Sequence, residues 1–410
     1  MEIHRMTTTT HTPGVGLKLA VSLALITMLG PVAIDMYLAA MPVMATDLQT
    51  SYASLQLTLT VFLLAMGGGQ LVFGPVVDAW GRRRPLLAGL ALYVLAALWV
   101  ASAQSAEIML YGRFLQGLSA ALILVVAMST VRDVSSGVAA TKLFALLVTI
   151  QGVAPILAPA VGGVINEWLG WRAVMVTMAV LGLLAATNSL INLRETLPVE
   201  KRSPLHLGAV FRTYWRIVSD RNFLAPALAL SAVFFVLFGY IGGAAYVYQV
   251  GFGLRSDVFG FVFGGTGIAI MIGAMASSRL ARTRHVSQLA VLAVAIMCLG
   301  GLLALVAAIA GLGLYGIVPG LFVTMLGLGM AEPPIMSMAM GSQERALGST
   351  SALLGAGTNV LGAAATPLAG LASEIGAWPW LAFLFGSSVV ALGLTWWSAR
   401  RAAGVEFALH

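Results

Sequence analysis

With 410 residues, 60% of them hydrophobic and only 9% charged, the chain has far less polar surface than a water-soluble globule, which carries about 25% charged residues. A mean hydropathy of +0.96 requires that much of its surface face lipid. The net charge of +7 does not point to nucleic acid, because no motif for base or phosphate readout interrupts the apolar runs.

Apolar runs of about 20 residues predict twelve membrane-spanning helices, over 17–40, 54–77, 85–103, 107–130, 139–163, 171–193, 223–249, 257–279, 286–310, 314–338, 347–371 and 377–397. The turn around Gly311–Leu314 is the most weakly marked boundary. Basic residues provide an independent check, since they collect in cytoplasmic loops. With the N-terminus inside, nineteen of the twenty-two fall on the cytoplasmic side, only Arg172 and Arg255 fall outside, and Arg113 lies within a span. A miscounted helix would scramble this alternation. The segment before Lys18 has no cleavage-site pattern and reads as a cytoplasmic tail. Cys298 is the single cysteine and can form no internal disulfide.

The first span carries "GPVAIDMYLAAMP" (Gly30–Pro42), with Asp35 in its middle. An Asp at the centre of a membrane helix costs about 2.5–3.5 kcal/mol on insertion scales, so such residues face a bundle interior, a cavity or an opposite charge. A carboxyl that meets each compartment in turn can take a proton from one and release it to the other. On a continuous helix Asp35 shares a face with Pro31, Leu38 and Pro42, while Tyr37 points about 200° away. The plain alternative is that Asp35 pairs with Arg113 to lock two helices.

The second span offers Leu59, Phe62, Met66 and Gln70 as cavity-facing candidates, and "DAWGRRRP" (Asp78–Pro85) follows it. Arg113 lies deep in the fourth span, where it can stabilise a carboxylate, hydrogen-bond a substrate or hold helix positions, but does not deprotonate. The longest polar stretch, Arg194–Asn222, divides the chain into an N-terminal six-helix half (1–193) and a C-terminal six-helix half (223–410). Its Arg212–Arg221 part reads as an amphipathic helix on the inner leaflet, with Phe211, Tyr214 and Trp215 meeting headgroups. "SRLARTRH" (Ser278–His285) sits in the second half where "DAWGRRRP" sits in the first, which suggests an internal duplication. Paired halves rocking about a midplane site give alternating access in secondary transporters. Phe235 and Phe238 on the seventh span and Asn359 on the eleventh complete the cavity candidates. Gln70 and Asn359 stand out, because an uncharged amide inside a membrane needs a partner or a cavity.

Glu332, in "GMAEPPIMSM", precedes Pro333 and Pro334, which are expected to kink the tenth span. Met325, Gly329, Glu332, Met336 and Met340 fall on one helical face, and methionines suit an adaptable cavity or plain packing. A second acid there could hold a cation or a second proton. The histidines at 4, 11, 206, 285 and 410 lie in tails or loops, without metal-ligand spacing, and no GxxxxGK[ST] occurs. An enzyme, a metal site and an ATP-driven pump are therefore not expected.

Several stretches resemble one family. "GPVVDAWGRRRPL" (Gly74–Leu86) resembles the loop between spans two and three of the major facilitator superfamily, "RFLQG" (Arg113–Gly117) its span-four motif, and "GVAPILAPAVGG" (Gly152–Gly163) its span-five antiporter motif. "IDMYLAAMP" together with "GSTSALLGA" (Gly348–Ala356) is similar to the bicyclomycin and chloramphenicol resistance branch, Bcr/CflA, of the twelve-span drug:proton antiporters. The likeness implies an all-α integral membrane protein, its two six-helix halves enclosing a central cavity. It also implies roles: Asp35 in proton coupling and drug binding, and Arg113 in proton movement. Gly74, Asp78, Gly81, Arg82 and Arg83 would form a cytoplasmic latch favouring the outward-open state, and Gly152, Pro155, Pro159, Gly162 and Gly163 the antiporter motif. Ala79 replaces a basic residue of the loop motif, Ala154 and Ala158 replace glycines of the antiporter motif, and "LAA" at 38–40 lacks the branch's extra proline. Glu332 has no counterpart in these motifs.

The expected function is export of small amphipathic drugs in exchange for protons across a bacterial inner membrane, by a monomer with both termini cytoplasmic and no cofactor beyond the coupling proton. The alternatives are a proton-coupled exporter or symporter of a small metabolite such as an amino acid, and, from another class, a channel or ligand sensor.

Overall fold

The computed structural model describes residues 17–135, 137–205, 207–343 and 347–408. The tail with His4, Arg5 and His11 lies outside the described residues, as do His206, Arg345 and His410.

Among the described residues, twelve helices are long and apolar enough to cross a membrane. In chain order they are Lys18–Asp47, Tyr52–Trp80, Arg83–Ala101, Ala106–Val134, Lys142–Leu169, Trp171–Asn192, Arg221–Gly251, Ser256–Leu280, Val286–Ile309, Gly313–Gly341, Leu347–Ile375 and Ala377–Arg401. Several outrun the apolar windows at both ends, because the helix continues after the hydrocarbon core stops. The termini are set by local chemistry. Ser51 Oγ accepts from Ser54 N at 3.0 Å to start the second span, and an Asp220 carboxylate oxygen accepts from Asn222 N at 2.9 Å at the seventh. The tenth span stays helical through Pro333 and Pro334. A backbone unpaired by proline is tolerated here because neighbouring helices surround it.

Two helix pairs make most of the contact between the first six spans and the last six. The second packs on the eleventh, where a side chain on Gly67 would press on Ala356 and Asn359; the fifth packs on the eighth, where Gly260 and Gly264 approach the backbone of Pro159 and Ile156. Small residues at such crossings let the helix backbones come into contact.

The molecule has two distinct ends. One, the basic end, carries Arg82, Arg83, Arg84, Arg202, Arg279, Arg282 and Arg284; the far end carries Asp47, Glu167, Arg172, Arg255 and Glu374. The polar segment between the sixth and seventh spans forms a surface helix, Leu207–Ser219, at the basic end. Phe211 and Trp215 are exposed as a headgroup-facing side would require, but Tyr214 is buried and donates from its hydroxyl to Leu71 O at 3.0 Å. Tyr214 therefore ties this helix to the second span instead of meeting lipid.

Candidate functional site

The first span is not one continuous helix. Its opening helix ends at Asp35, the chain turns through Met36 and Tyr37, a short 3-10 turn covers Leu38–Ala40, and a helix resumes over Met41–Asp47. Pro31 and Pro42 bracket this break without sitting in it. Leu38 and Pro42 therefore do not continue the Asp35 face as a regular helix would place them, and Tyr37 packs on Arg113. The Arg113 guanidinium carbon lies 4.3 Å from the Tyr37 ring centroid and 4.4 Å from that of Phe62, a cation held between two aromatic rings.

Arg113 is fully buried, and its hydrogen bonds show how the break is stabilised. Arg113 Nη2 donates to Ala33 O at 2.9 Å, a carbonyl that the break leaves without its helical partner, and Nη1 donates to Gln116 Oε1 at 2.6 Å. Arg113 Nε is a buried donor with no partner among the described residues. Asp35 is only 4% exposed and makes no hydrogen bond or ion pair to any described residue. The pairing of Asp35 with Arg113 is absent from this structure: the arginine grips the backbone two residues away and leaves the carboxyl free.

One turn from Asp35 toward the basic end is a small cavity of about 60 Å³, lined by Thr27, Gly30, Pro31 and Ile34 with Met66, Leu124 and Gln151. Of the cavity candidates, only Met66 lines this space. Leu59 is buried in the core and Phe62 lies on Arg113. Gln70 approaches Gly355, and Asn359 donates to Gly355 O at 2.7 Å, so both amides sit at the crossing of the second and eleventh spans. Phe235 faces Phe383 of the last span at 5.7 Å between centroids, and Phe238 fills the space beside Gly362; neither lies in the Asp35 group. Glu332 is partly exposed near the basic end of the tenth span, without a hydrogen bond or ion pair among the described residues. The face it was expected to share is divided: Met325 is wholly buried, Gly329 meets the backbone of Ile270, and Met336 is exposed.

The span-five glycines work by close approach. A side chain on Gly162 would collide with the Met36 carbonyl inside the break, and one on Gly163 with Ser256 O. Gly152 has open space around it, while Pro155 lies beside Gly267 and Pro159 beside Gly260 of the eighth span.

At the basic end, Arg82 bonds Asp78 at 2.7 Å and holds Asp133 with two of its nitrogens, at 2.8 and 3.3 Å. Glu195, just past the sixth span, accepts from the backbone N–H groups of Arg82 at 2.8 Å and Arg83 at 3.3 Å, capping the third span from a distance. Burial alone would raise the Glu195 carboxyl, but the N–H groups of Arg82, Leu197 and Arg83 with the Arg202 charge outweigh it and hold it below the usual glutamate range. Gly81 has φ +87°, and a side chain there would strike Glu195 and Arg202. Gly74 stands in open space. Among the described residues, every ion pair of this cluster stays within the first six spans and the segment after them, so it does not bridge to the last six here. Asp133 and Glu195 were not legible as members, since nothing in their local sequence marks which loop they reach. Gln116, Gln56 and Gln249 fall inside predicted spans and were legible by the rule that singled out Gln70 and Asn359. Asn166 lies past the predicted end of the fifth span at 163 and became a membrane-span residue only because that helix runs on to Leu169.

Comparisons with known proteins agree with this architecture. The family model described as "Major Facilitator Superfamily" matches residues 23–346. An uncharacterised MFS-type transporter, YdgK of Bacillus subtilis (strain 168), is 35% identical over 91% of this chain and 93% of its own. A bicyclomycin resistance protein homolog of Haemophilus influenzae is 30% identical over 72% of this chain and 74% of its own. The crystal structure of a D-xylose-proton symporter superposes with a TM-score of 0.75 at 13% identity, covering 92% of this chain and 97% of that one, a likeness of fold alone. The chain is a multi-pass membrane transporter, not an enzyme, and it belongs to the major facilitator superfamily.

Proposed function

We propose that this transporter exports small amphipathic drugs, of chloramphenicol or bicyclomycin type or a broader set, in exchange for protons. The observation that carries this reading is Asp35, a buried carboxyl with no partner among the described residues, at a helix break beside a small cavity. An ionised carboxylate without water or a partner in such a place costs several kcal/mol. A proton relieves that cost, and so does a cargo that hydrogen-bonds the carboxylate or carries positive charge. Both relieve the same cost, so they compete, and competition for one group accessible from alternate sides is coupling. The resistance protein homolog among the relatives supports a drug as cargo.

In this reading, the halves 1–193 and 223–410 rock about Asp35, joined by the 194–222 linker. The basic end faces the cytoplasm of a bacterial inner membrane, with both termini on that side, as the basic-residue asymmetry supports. The working unit is a monomer, and its coupling ion is the proton. Arg113 fixes the geometry of the break, with its free Nε–H available to the carboxylate or cargo. The latch of Gly74, Asp78, Gly81, Arg82 and Arg83 engages the second half only when the basic end closes.

The test uses purified protein in liposomes with an internal pH dye. Adding drug should release protons from wild-type protein, and Asp35→Asn should abolish that release while folding and inserting normally. Undiminished release from Asp35→Asn would remove the residue from coupling. Glu332 enters as the second acid, serving cationic cargo. Glu332→Gln should lower transport of a cation such as tetraphenylphosphonium several-fold more than transport of neutral chloramphenicol, and equal losses would assign Glu332 to structure.

A further inference from the structure

The break after Asp35 also reaches across the molecule. Its two edges expose backbone carbonyls, and both are taken by side chains from other spans. Ala33 O accepts from Arg113 within the first six spans, whereas Ala39 O accepts from Gln249 Nε2 of the seventh span at 2.9 Å. Ser256 Oγ lies 2.9 Å from Gln249 Oε1 and 3.3 Å from Ala39 O, so its single proton goes to the nearer oxygen and Gln249 remains the main donor to Ala39. Asn166 Nδ2 of the fifth span donates to Ser256 Oγ at 2.9 Å. This chain of neutral groups therefore crosses between the first and last six spans twice. Ala39, Asn166 and Ser256 are buried, where a lost hydrogen bond leaves its partner unsatisfied.

Local structure sets each member. Span seven widens into a π-turn over Val247–Gly251, a feature concentrated at functional positions, and Gln249 sits within it. The Met36 carbonyl rests on Gly162, so the break is clamped from the first half while Gln249 holds it from the second.

We propose that Gln249 is the positioning residue of a far-end gate, closing that end by donating to the Ala39 carbonyl only while the broken segment that carries Asp35 keeps its present shape. Loss or gain of a proton or cargo at Asp35 would move the segment and so loosen or restore the gate. The gate itself contains no titratable group. The charged groups around it are Asp35 in the break, Arg113 on the Ala33 carbonyl at its other edge, Asp47 at the end of the first span with its partner Arg172, Glu167 on the fifth span, Arg255 and Asp257 at the start of the eighth, and Glu374 at the end of the eleventh. The link to Asp35 rests on the proposed reading of that residue as the coupling carboxyl, not on the identity of the cargo, whereas the opening of the far end by Gln249→Leu tests the gate whether or not Asp35 couples.

The experiment is a spin-label distance measurement on the full chain in lipid nanodiscs, in a Cys298→Ser background. One label pair reports the far end, at Leu169→Cys and Ile375→Cys, both exposed positions. Gln249→Leu, or isosteric Gln249→Met where leucine prevents insertion, should raise the longer-distance population about fivefold, the loss expected for one neutral hydrogen bond. Gln249→Glu should behave like wild type at pH 5.5, where its protonated carboxyl can donate to Ala39 O, and open at pH 8. Wild-type protein taken through the same pH steps gives the contribution of the surrounding charged groups, to be subtracted. A wild-type-like distribution in the apolar variant overturns the proposal whatever the glutamate variant does.

Discussion

The far end and the basic end are held by opposite chemistry. Across the far end, most hydrogen bonds between the first and last six spans join amides, hydroxyls and carbonyls: Gln249 to Ala39, Asn166 to Ser256, Gln56 Nε2 to Gly242 O at 2.8 Å, and Thr60 with Thr366 at 2.9 Å. The Glu374 carboxylate, which accepts from Ala53 N at 3.0 Å, is a charged member of the set. At the basic end, the strong contacts are ionic, and they tie the first six spans only to themselves and to the segment that follows. A neutral hydrogen bond contributes about 1 kcal/mol net and can be made and broken cheaply, whereas separating a buried ion pair costs several times that. Reversible closure suits the neutral set; keeping one half rigid while it moves suits the charged one.

The largest expected effect breaks the rigid side of that comparison. Arg82→Leu leaves Asp133 and Asp78 without their shared cation, and Arg82 is buried. A loss of about 3 kcal/mol is expected, at the low side of buried-pair values because Asp78 is half in solvent. Thermal unfolding in detergent should show a clearly lowered midpoint. If the midpoint is unchanged, the cluster is not what makes the basic end rigid.

A smaller effect carries a pH signature. The folded-state carboxyl of Glu195 is depressed below its ordinary value of 4.5. Its contribution is therefore present above about that pH and is lost as pH falls through the depressed value. Glu195→Gln should lower the unfolding midpoint at pH 7, and the gap to wild type should close in acid as the wild-type carboxyl protonates. A gap that persists at pH 3 would mean Glu195 acts through shape, not charge.

What the sequence made legible follows from range. Twelve spans and the location of the basic residues depend on windows of about 20 residues and on loop composition, and both read directly from the chain. The break in the first span did not, because Pro31 and Pro42 flank it and neither sits at Met36 or Tyr37. Its cause is tertiary: Arg113 and Gln249 satisfy carbonyls that would otherwise favour a continuous helix. Asp35 was legible by its depth alone, but its freedom from Arg113 was not, since a sequence cannot say whether an arginine prefers a carboxylate or a backbone oxygen. Gln249 carries the same signal as Gln70, an amide inside a predicted span, and differs in having found a partner, whereas Asn166 lies beyond the predicted end of the fifth span and carried no such signal.

The smallest effect sharpens the contrast from the other side. Arg255 is an exception to the neutral far end, since it meets Glu167 across the two halves at 3.2 Å and Asp257 at 3.0 Å. Its side chain is 60% exposed, however, and an exposed pair contributes at most about 1 kcal/mol and is screened by salt. Arg255→Gln should therefore move the far-end spin-label distribution less than Gln249→Leu does, and the small change should vanish in 0.5 M salt. If Arg255→Gln opens the far end as far as Gln249→Leu at all salt concentrations, closure there is ionic, and the two ends use one chemistry after all. The buried position of Ser256 and Asn166, next in sequence to Arg255 and Glu167, argues for the other outcome: the charges sit at the water-facing rim, and the neutral pair beneath them is where water is excluded and a hydrogen bond counts.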